Sequence, residues 1–278
     1  MSLVNLNFES QALGTNTEIS IILPKCPETE DPKKFFTRDK RYKVLWLLHG
    51  TYGDHTDWIR RSMIETHVRK KDVIVVCPSA LNTNYSNWPS FATGFNMYDF
   101  FLDELMPFVY NWLPASDKRE DNFIAGLSMG GGGACLYGFN HPELFGGIAC
   151  LSSCPKDLNQ SKEENSRFWP RIKKSAANYD SEEEFLNGYE NTMQVLRKLV
   201  ADKADMPKLF FGCGEEDELL WEDFKKFREV AENELKLDAM WHTLPGYRHE
   251  WPYWDIAIRE AIKYFGIIEI DKNDTSFR

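Results

Sequence analysis

A serine lies at the centre of the glycine-flanked pentapeptide GLSMG at 126–130. The pentapeptide matches the pattern G-x-S-x-G, and it stands between a short apolar run over 122–127 and a stretch with helical spacing over 129–139. On such a strand-to-helix turn a serine hydroxyl projects above the sheet, where it can attack a carbonyl carbon. Glycines beside the serine remove side chains that would clash in the turn. Ser128 is therefore the candidate nucleophile, and the alternative is a tight turn in which this serine takes no part in chemistry.

A nucleophilic serine needs a base that accepts its proton, and histidine is the usual choice. His249 lies in the loop PGYRH, directly after the predicted strand at 239–244. His49 also ends a predicted strand, but it precedes the serine, whereas the histidine comes last in the chain in serine motifs of this kind. The other four histidines lie on predicted helices, within a strand or in an earlier loop: His55, His67, His141 and His242. We expect His249 to be the base.

An acidic side chain must hold the imidazole of the base in the correct tautomer. The loop GCGEED at 212–217 follows the predicted strand at 208–211, so it lies at the carboxyl edge of a parallel sheet. The acid is expected between the serine and the histidine in chain order, which is where Asp217 stands. We expect Asp217 to be the acid, and three neighbouring carboxylates stay as alternatives: Glu215, Glu216 and Glu218.

The loop LHGTYG at 48–53 can present backbone N–H groups to a negatively charged oxygen, because its glycines leave the backbone accessible. Such an oxyanion hole takes one donor from the amide after the nucleophile, here Met129, and one from a loop after an earlier strand. We expect the second donor to be the Thr51 amide, and Gly50 and Tyr52 are competitors.

Aromatic residues are frequent, with nine tryptophans among the 278 residues. Several of them lie in loops that are predicted to meet near Ser128, and Trp254 lies beside the same loops. The candidates to line a substrate pocket are Trp58, Trp88, Phe91, Phe168, Trp169 and Trp251. Packing in the core explains each of them equally well.

Strand and helix patterns alternate along the chain, which predicts an α/β fold with a mostly parallel sheet and helices on both faces. Continuous apolar runs are typical of strands buried on both faces, and apolar residues at helical spacing indicate helices. The predicted strands are 17–23, 43–48, 73–76, 122–127, 147–151, 208–211 and 239–244, and the predicted helices are 57–70, 97–113, 129–139, 219–237 and 254–265.

One charged segment interrupts this alternation. Residues 155–205 separate two predicted strands by far more chain than a crossover needs, and helical spacing recurs over 182–200. We interpret the chain as a single domain over 1–278 with a helical cap inserted at 155–205, placed over the carboxyl edge of the sheet where open α/β sheets bind ligands. The alternative is a surface crossover with no role in the site.

Composition excludes several classes of function. The formal charge of −10 argues against sequence-independent binding of nucleic acid, which needs a cationic surface. No apolar run approaches the roughly 20 residues of a membrane span, and the N-terminus has no signal-peptide pattern, so a cytoplasmic protein is expected. Six dispersed cysteines are typical of buried thiols in a reducing compartment, and no cysteine or histidine cluster has metal-ligand spacing. No metal and no organic cofactor is expected.

Taken together, five segments resemble the esterase D family of α/β-hydrolases, nearest its tributyrin esterase and feruloyl esterase branch. The segments are ESQALGTNTEISIILP, VLWLLHGTYGDHTDW, FIAGLSMGGGGA, FFGCGEEDELL and PGYRHEWPYW. The resemblance implies an α/β-hydrolase fold, and it places the nucleophile on Ser128, the acid on Asp217 and the base on His249. It places the oxyanion donors on Thr51 and Met129, and it implies a homo-oligomer.

These features lead to the expectation of a serine esterase that acts through an acyl-serine intermediate on small-molecule esters. Acetyl, butyryl or feruloyl esters, including those of carbohydrates, are the expected substrates. One alternative is a thioesterase like the S-formylglutathione hydrolases of the same family, which usually carry a Ser-Gly-Leu-Thr-Cys-like segment where this chain has HGTYG at 49–53. Transfer of the acyl group to an alcohol and a non-catalytic scaffold are further alternatives.

Overall fold

A sheet of eight strands runs through the molecule. The structure, a computed structural model, describes residues 1–37 and 39–267. Its strands are β1 (Ser2–Ser10), β2 (Thr15–Leu23), β3 (Lys43–Leu48), β4 (Val73–Pro78), β5 (Asn87–Trp88), β6 (Phe95–Asn96), β7 (Asn122–Leu127), β8 (Gly147–Leu151), β9 (Lys208–Gly214) and β10 (Ala239–Leu244). The sheet order is β1-β2-β4-β3-β7-β8-β9-β10, and β5 and β6 form a separate two-stranded ribbon. Strands β4, β3, β7, β8, β9 and β10 are parallel, which confirms the predicted mostly parallel sheet.

Helices cover both faces of this sheet. They are α1 (Pro32–Phe35), α2 (Asp57–Arg61), α3 (Ile64–Val68), α4 (Met97–Asp99), α5 (Met106–Trp112), α6 (Met129–Asn140), α7 (Leu158–Glu163), α8 (Trp169–Ile172), α9 (Glu182–Asn187), α10 (Thr192–Ala201), α11 (Trp221–Asn233) and α12 (Trp251–Tyr264). A π-helical stretch, Phe100–Leu105, joins α4 to α5, and 3-10 turns occur at Arg119–Asp121 and Lys173–Asn178.

The alternation of side chains along the buried strands divides the core into two layers. In β3, Trp46 and Leu48 pack in the layer below α5, α6 and α11, whereas Leu45 and Leu47 pack in the layer below α2, α3 and α12. The central parallel strands are therefore covered by helices on both faces, as is typical of parallel sheets. This arrangement is the α/β-hydrolase fold that the sequence predicts.

The differences from the sequence-based prediction include an additional strand and a divided helix. Strand β1, which the sequence analysis does not predict, pairs antiparallel with β2 at the sheet edge, and most of its side chains are exposed, so its sequence lacks a strong apolar pattern. The predicted helix at 57–70 is two short helices instead. The backbone is extended at Ser62, and the Met63 amide donates to Asp255 on α12 at 2.7 Å, so a tertiary contact replaces the helical hydrogen bond.

Residues 155–205 form four short helices, α7 to α10, between β8 and β9. Helix α10 packs against α6, while Leu158, Trp169 and Phe185 form a small apolar cluster of their own. None of the helices in the described ranges has the length and apolarity that crossing a bilayer requires. All six cysteines carry free thiols, and four of them are buried.

Candidate active site

Ser128 occupies a sharp turn between β7 and α6. Its backbone dihedrals, φ 50° and ψ −115°, lie in a region that side chains rarely adopt, which is typical of a strained functional turn. A Cβ atom on Gly126 would lie 2.3 Å from the carbonyl oxygen of Gly130, so both positions need glycine for the chain to close this turn. The amide of Ser128 donates to Leu151 of β8 at 2.8 Å, and this bond fixes the turn to the sheet.

Three loops at the carboxyl edge of the sheet bring Ser128, His249 and Asp217 into one hydrogen-bonded chain. His249 Nε2 lies 3.0 Å from Ser128 Oγ, and His249 Nδ1 lies 2.8 Å from Asp217 Oδ2. These loops follow β7, β9 and β10. An imidazole held in this way can accept the serine proton at Nε2 while Nδ1–H donates to the carboxylate.

The acidic neighbours of Asp217 make other contacts. Glu215 accepts a hydrogen bond from Thr243 Oγ1 at 2.9 Å, and Glu218 lies 3.9 Å from Arg248 Nε. The backbone N–H of Glu216 donates to the Tyr247 carbonyl oxygen, and the Glu216 side chain makes no hydrogen bond to His249 among the described residues. Of the four carboxylates that the sequence leaves open, only Asp217 contacts His249.

Asp217 is 1% exposed, yet its environment favours the charged form. Burial alone would raise the pKa of Asp217, but the hydrogen bond and charge of His249, the Leu219 amide and the Ser152 hydroxyl hold that pKa below its ordinary value of 3.8. The amides of Leu219 and Leu220 both donate to Oδ1 at 3.0 Å. The carboxylate can therefore stabilise an imidazolium on His249.

Ser152, at the end of β8, is a site residue that the sequence analysis does not identify. Its hydroxyl accepts a hydrogen bond from Trp254 Nε1 at 2.9 Å and contacts Asp217. The Trp254 ring in turn packs edge-on against His249, with ring centroids 5.0 Å apart. Ser152 is fully buried, with φ 44°. No sequence pattern distinguishes it from other serines that follow strands.

The loop after β3 lines the same cavity as Ser128 through Gly50, Thr51 and Tyr52. The Tyr52 amide donates to Asn82 Oδ1 at 2.8 Å, so that competitor for the oxyanion hole is already occupied. Met129 is the first residue of α6, where a helix amide has no intrahelical acceptor. A Cβ on Gly50 would lie 2.5 Å from Leu127 Cδ1, which shows how closely this loop approaches the turn at Ser128. Thr51, on the loop after β3, and Met129, at the start of α6, thus line the cavity together with Ser128.

His49 is hydrogen-bonded to the backbone on both sides of its ring. It is buried, its Nδ1 lies 2.7 Å from the Gly50 carbonyl oxygen, and its Nε2 accepts the Ala80 amide at 2.9 Å. Burial lowers the pKa of His49, although the Gly50 carbonyl opposes this. Its neutral ring therefore holds the loop that carries Thr51.

A cavity of about 960 Å³ opens over Ser128 and extends below the inserted segment. Phe168, Trp251 and Trp254 line it, together with Ser128, His249 and residues of α7, α8 and α10. Phe168 belongs to the inserted segment, and both tryptophans belong to the first turn of α12. The cavity therefore has an aromatic portion close to the serine.

Four of the residues that the sequence predicts to bind substrate do not line this cavity. Trp58 is 1% exposed, and its indole N–H donates to the Leu48 carbonyl at 2.9 Å within the core. Trp88 donates to Thr83 in its own loop, and Phe91 is 55% exposed on the surface. Trp169 packs in the apolar cluster of the inserted segment. Loop position alone did not distinguish side chains that face the cavity from those that anchor the loops.

Comparisons with known proteins agree with this geometry. A family model described as "Putative esterase" matches residues 10–265. The chain belongs to this esterase family. An acetyl esterase of Caldicellulosiruptor saccharolyticus is 29% identical over 276 residues, which is 95% of this chain and 98% of the relative.

Two solved structures from Staphylococcus aureus are each 28% identical to this esterase, and each comparison covers 95% of this chain and 98% of the other. One is the fluorophosphonate-binding serine hydrolase F with bound substrate, with a TM-score of 0.77, and the other is an S-formylglutathione hydrolase, with a TM-score of 0.75. The protein is therefore a carboxylesterase-type hydrolase with the α/β-hydrolase fold.

Proposed function

We propose that this esterase hydrolyses short-chain or aromatic acyl esters through an acyl intermediate on Ser128. The observation that carries the proposal is the hydrogen-bonded chain from Ser128 Oγ through His249 to Asp217, with distances of 3.0 and 2.8 Å. This chain supplies a nucleophile, a base within reach of its proton and a carboxylate that orients the base.

In the proposed first step, Ser128 Oγ attacks the ester carbonyl carbon while His249 Nε2 takes the serine proton. The tetrahedral intermediate collapses when the C–O bond to the alcohol breaks, and the imidazolium returns the proton to that leaving oxygen. Water then attacks the acyl-serine while His249 takes a proton from it. When the bond between the acyl carbon and Ser128 Oγ breaks, the imidazolium returns the proton to Oγ, and the carboxylic acid leaves. Asp217 keeps its charge throughout and stabilises the imidazolium.

The oxyanion of each tetrahedral intermediate would accept hydrogen bonds from the Thr51 and Met129 amides. Met129 N–H points from the first turn of α6, where the helix dipole also favours negative charge. Donors of this kind typically contribute about 2.7–4 kcal/mol each to transition-state stabilisation.

The substrate class is supported by the cavity and by the relatives. Phe168, Trp251 and Trp254 offer apolar and aromatic surface beside Ser128, which suits an acetyl, butyryl or aromatic acyl group. The acetyl esterase is similar over nearly its full length. The cavity extends well beyond an acetyl group, and it has room for a bulky alcohol such as a carbohydrate.

A hydrolysis assay tests the proposal. Wild-type enzyme should release p-nitrophenol from the acetate and butyrate esters, and Ser128→Ala should lower kcat by about 10⁴-fold or more. Ser161→Ala, a serine of the inserted segment that takes no part in the hydrogen-bonded chain, is the matched control. Absence of hydrolysis by wild type across a chain-length panel, or an active Ser128→Ala enzyme, would refute the proposal.

A thioesterase function is the second candidate, and the S-formylglutathione hydrolase structure favours it. The same serine chemistry cleaves a thioester, with a thiolate as the leaving group. Including S-formylglutathione in the substrate panel separates the two. A kcat/KM for that thioester far above the values for all oxygen esters would make the thioesterase the better description.

A further inference from the structure

We propose that Arg171 recognises a carboxylate carried by the substrate a few bonds from the ester that Ser128 attacks. This inference rests on the proposed function and adds a substrate class to it. Arg171 lies on α8 of the inserted segment, and it lines the same cavity as Ser128. It would be a specificity-determining residue contributed by the segment at 155–205.

The guanidinium lies directly beside the two candidate oxyanion residues. Arg171 Nη1 donates to Thr51 Oγ1 at 2.8 Å, and Nη2 contacts Met129 Sδ at 3.3 Å. The side chains of Thr51 and Met129 flank the place where the ester carbonyl would bind. A carboxylate on the Arg171 fork would therefore lie close to that carbonyl.

Arg171 has no anionic partner of its own among the described residues. Both of its side-chain contacts are to neutral groups, a hydroxyl and a thioether. Burial lowers the pKa of the guanidinium, and the only opposing influence comes from the Tyr52 phenol. A partly desolvated guanidinium that retains free N–H donors is suited to a planar anion, which it can bind through two parallel hydrogen bonds.

A second basic side chain reaches the cavity near Arg171. Lys156 also lines it, and burial and the nearby Arg171 both lower the pKa of Lys156, while Glu190 acts in the opposite direction. Glu190 is buried beside Lys156, where it also accepts the Tyr179 hydroxyl at 3.1 Å. Glu190 thus acts electrostatically on Lys156, whereas no carboxylate of the described residues is paired with Arg171.

Several other charged side chains that line the cavity have partners within the protein, and none of those in the described residues is paired with Arg171. Asp57 lies 3.4 Å from Arg61, and Glu164 lies 3.7 Å from Lys226. Asp157 accepts the Gln160 amide at the start of α7. None of these carboxylates is available to neutralise Arg171, so a substrate anion is the partner that the site lacks.

The alternative role for Arg171 is purely structural, as a clamp that holds α8 against the loop at Thr51. That role would affect every ester equally. A recognition role affects only esters with a negative charge. Pairs of charged and neutral substrates of the same shape therefore decide between the two.

The experiment compares two substrate pairs, one for each part of the ester. For the acyl part, monoethyl succinate is compared with ethyl succinamate, in which an amide replaces the carboxylate. For the alcohol part, 4-acetoxybenzoate is compared with 4-acetoxybenzamide. The kcat/KM of each is measured for wild type, Arg171→Met and Arg197→Met. Arg197 also lines the cavity, but it is paired with Glu234 at 3.3 Å, so its replacement removes a charge of the same sign without removing the proposed fork.

In at least one pair, Arg171→Met should lower kcat/KM for the charged ester by about 10- to 100-fold more than for its amide analogue, the value of a hydrogen-bonded ion pair. Arg197→Met should keep the wild-type ratio of charged to neutral substrate. Arg171→Lys should recover part of the loss, because it restores the charge without the planar fork. The pair that responds identifies which part of the substrate carries the carboxylate.

The inference would be overturned by an equal change in kcat/KM for both members of each pair, or by failure of the wild-type enzyme to hydrolyse either charged ester. Hydrolysis of neutral esters by the wild-type enzyme would still support the proposed function in either case. Binding of succinate to an inactive enzyme gives an independent test that needs no turnover.

Succinate should bind the Ser128→Ala enzyme, and the additional change Arg171→Met should raise the dissociation constant of succinate by a similar factor. Equal succinate binding by both enzymes would also overturn it.

Discussion

The charge on Asp217 is favoured by its partners and opposed by its burial. Two amides, the Ser152 hydroxyl and His249 surround a carboxylate that is 1% exposed. A protonated or amide side chain at this position would lose the charge that these donors stabilise. Catalysis and stability should therefore respond together to changes at Asp217.

Asp217→Asn should lower kcat by about 10⁴-fold, because the amide neither fixes the correct tautomer of His249 nor stabilises the imidazolium. It should also lower the free energy of unfolding at pH 7 by about 1–3 kcal/mol. Since the folded-state pKa of Asp217 lies below 3.8, the ionised group stabilises wild type above that pH, and this contribution is lost as the pH falls through the folded-state pKa. Urea unfolding of both proteins across this range measures the effect. A difference in unfolding free energy that persists unchanged down to pH 3 would contradict this account of Asp217.

Residue identities were predictable from sequence where chain order and loop position limited the choice. Ser128, Asp217 and His249 each follow a strand in the order that the chemistry requires, so the pattern pointed to the same side chains that the structure brings into contact. The inward or outward direction of loop side chains was not predictable. Trp58 and Trp169 pack in apolar clusters because their neighbours on other elements are apolar, and no local pattern records those neighbours.

At the scale of elements, the turn at Ser128 depends on how closely α6 approaches β3. A Cβ on Gly130 would lie 2.5 Å from the Leu48 carbonyl oxygen and 2.6 Å from that of His49. These are backbone atoms of a central strand and its loop, so they cannot move aside as a flexible side chain would. The glycine run over 130–133 has poor helix propensity, and close packing of α6 on the sheet compensates at some of these positions.

Gly130→Ala should therefore destabilise the fold by about 1–3 kcal/mol and lower esterase activity, since it moves α6 and the Met129 amide away from the site. Gly132→Ala is the matched control. Its Cβ would meet Lys156 Cε at 3.5 Å, an ordinary contact, so the better helix propensity of alanine should leave stability unchanged or raise it by up to about 1 kcal/mol. Thermal unfolding and ester hydrolysis of the two variants test this contrast. Equal destabilisation by both substitutions would show that close approach at Gly130 is unimportant.

Element types were largely predictable, and the exceptions have identifiable causes. The central strands β3, β7 and β8 begin and end at the predicted residues, because continuous apolar runs bounded by polar residues specify buried strands. The edge strand β1 buries little apolar surface, so its sequence carried no such signal. The break between α2 and α3 depends on a contact with Asp255, nearly two hundred residues away in sequence.

At the scale of the whole molecule, the sheet positions the candidate catalytic residues, and the inserted segment forms part of the cavity wall. Every candidate catalytic residue lies on a loop at the carboxyl edge, whereas Phe168 and Arg171 reach the cavity from residues 155–205. Although the formal charge of the chain is −10, the cavity beside Ser128 carries Arg171, a cation with no anionic partner among the described residues. We propose that the segment acts as the cap that sets specificity.

The proposed chemistry needs no metal, because His249 moves the protons and backbone amides stabilise the oxyanion. Among the described residues, no group of three histidine, cysteine or carboxylate side chains is arranged to hold a metal ion. Extensive treatment with a chelator should leave kcat/KM and the thermal midpoint unchanged. A loss of activity that a divalent cation restores would contradict this prediction.

The central claim is that Ser128 becomes covalently acylated, and one labelling measurement tests it most directly. A fluorophosphonate should add once to the wild-type enzyme, and peptide mapping by mass spectrometry should place the adduct on Ser128 with loss of esterase activity in proportion to labelling. Ser128→Ala enzyme should not be labelled. Esterase activity that survives complete labelling of Ser128, or an adduct on another residue, would contradict the account.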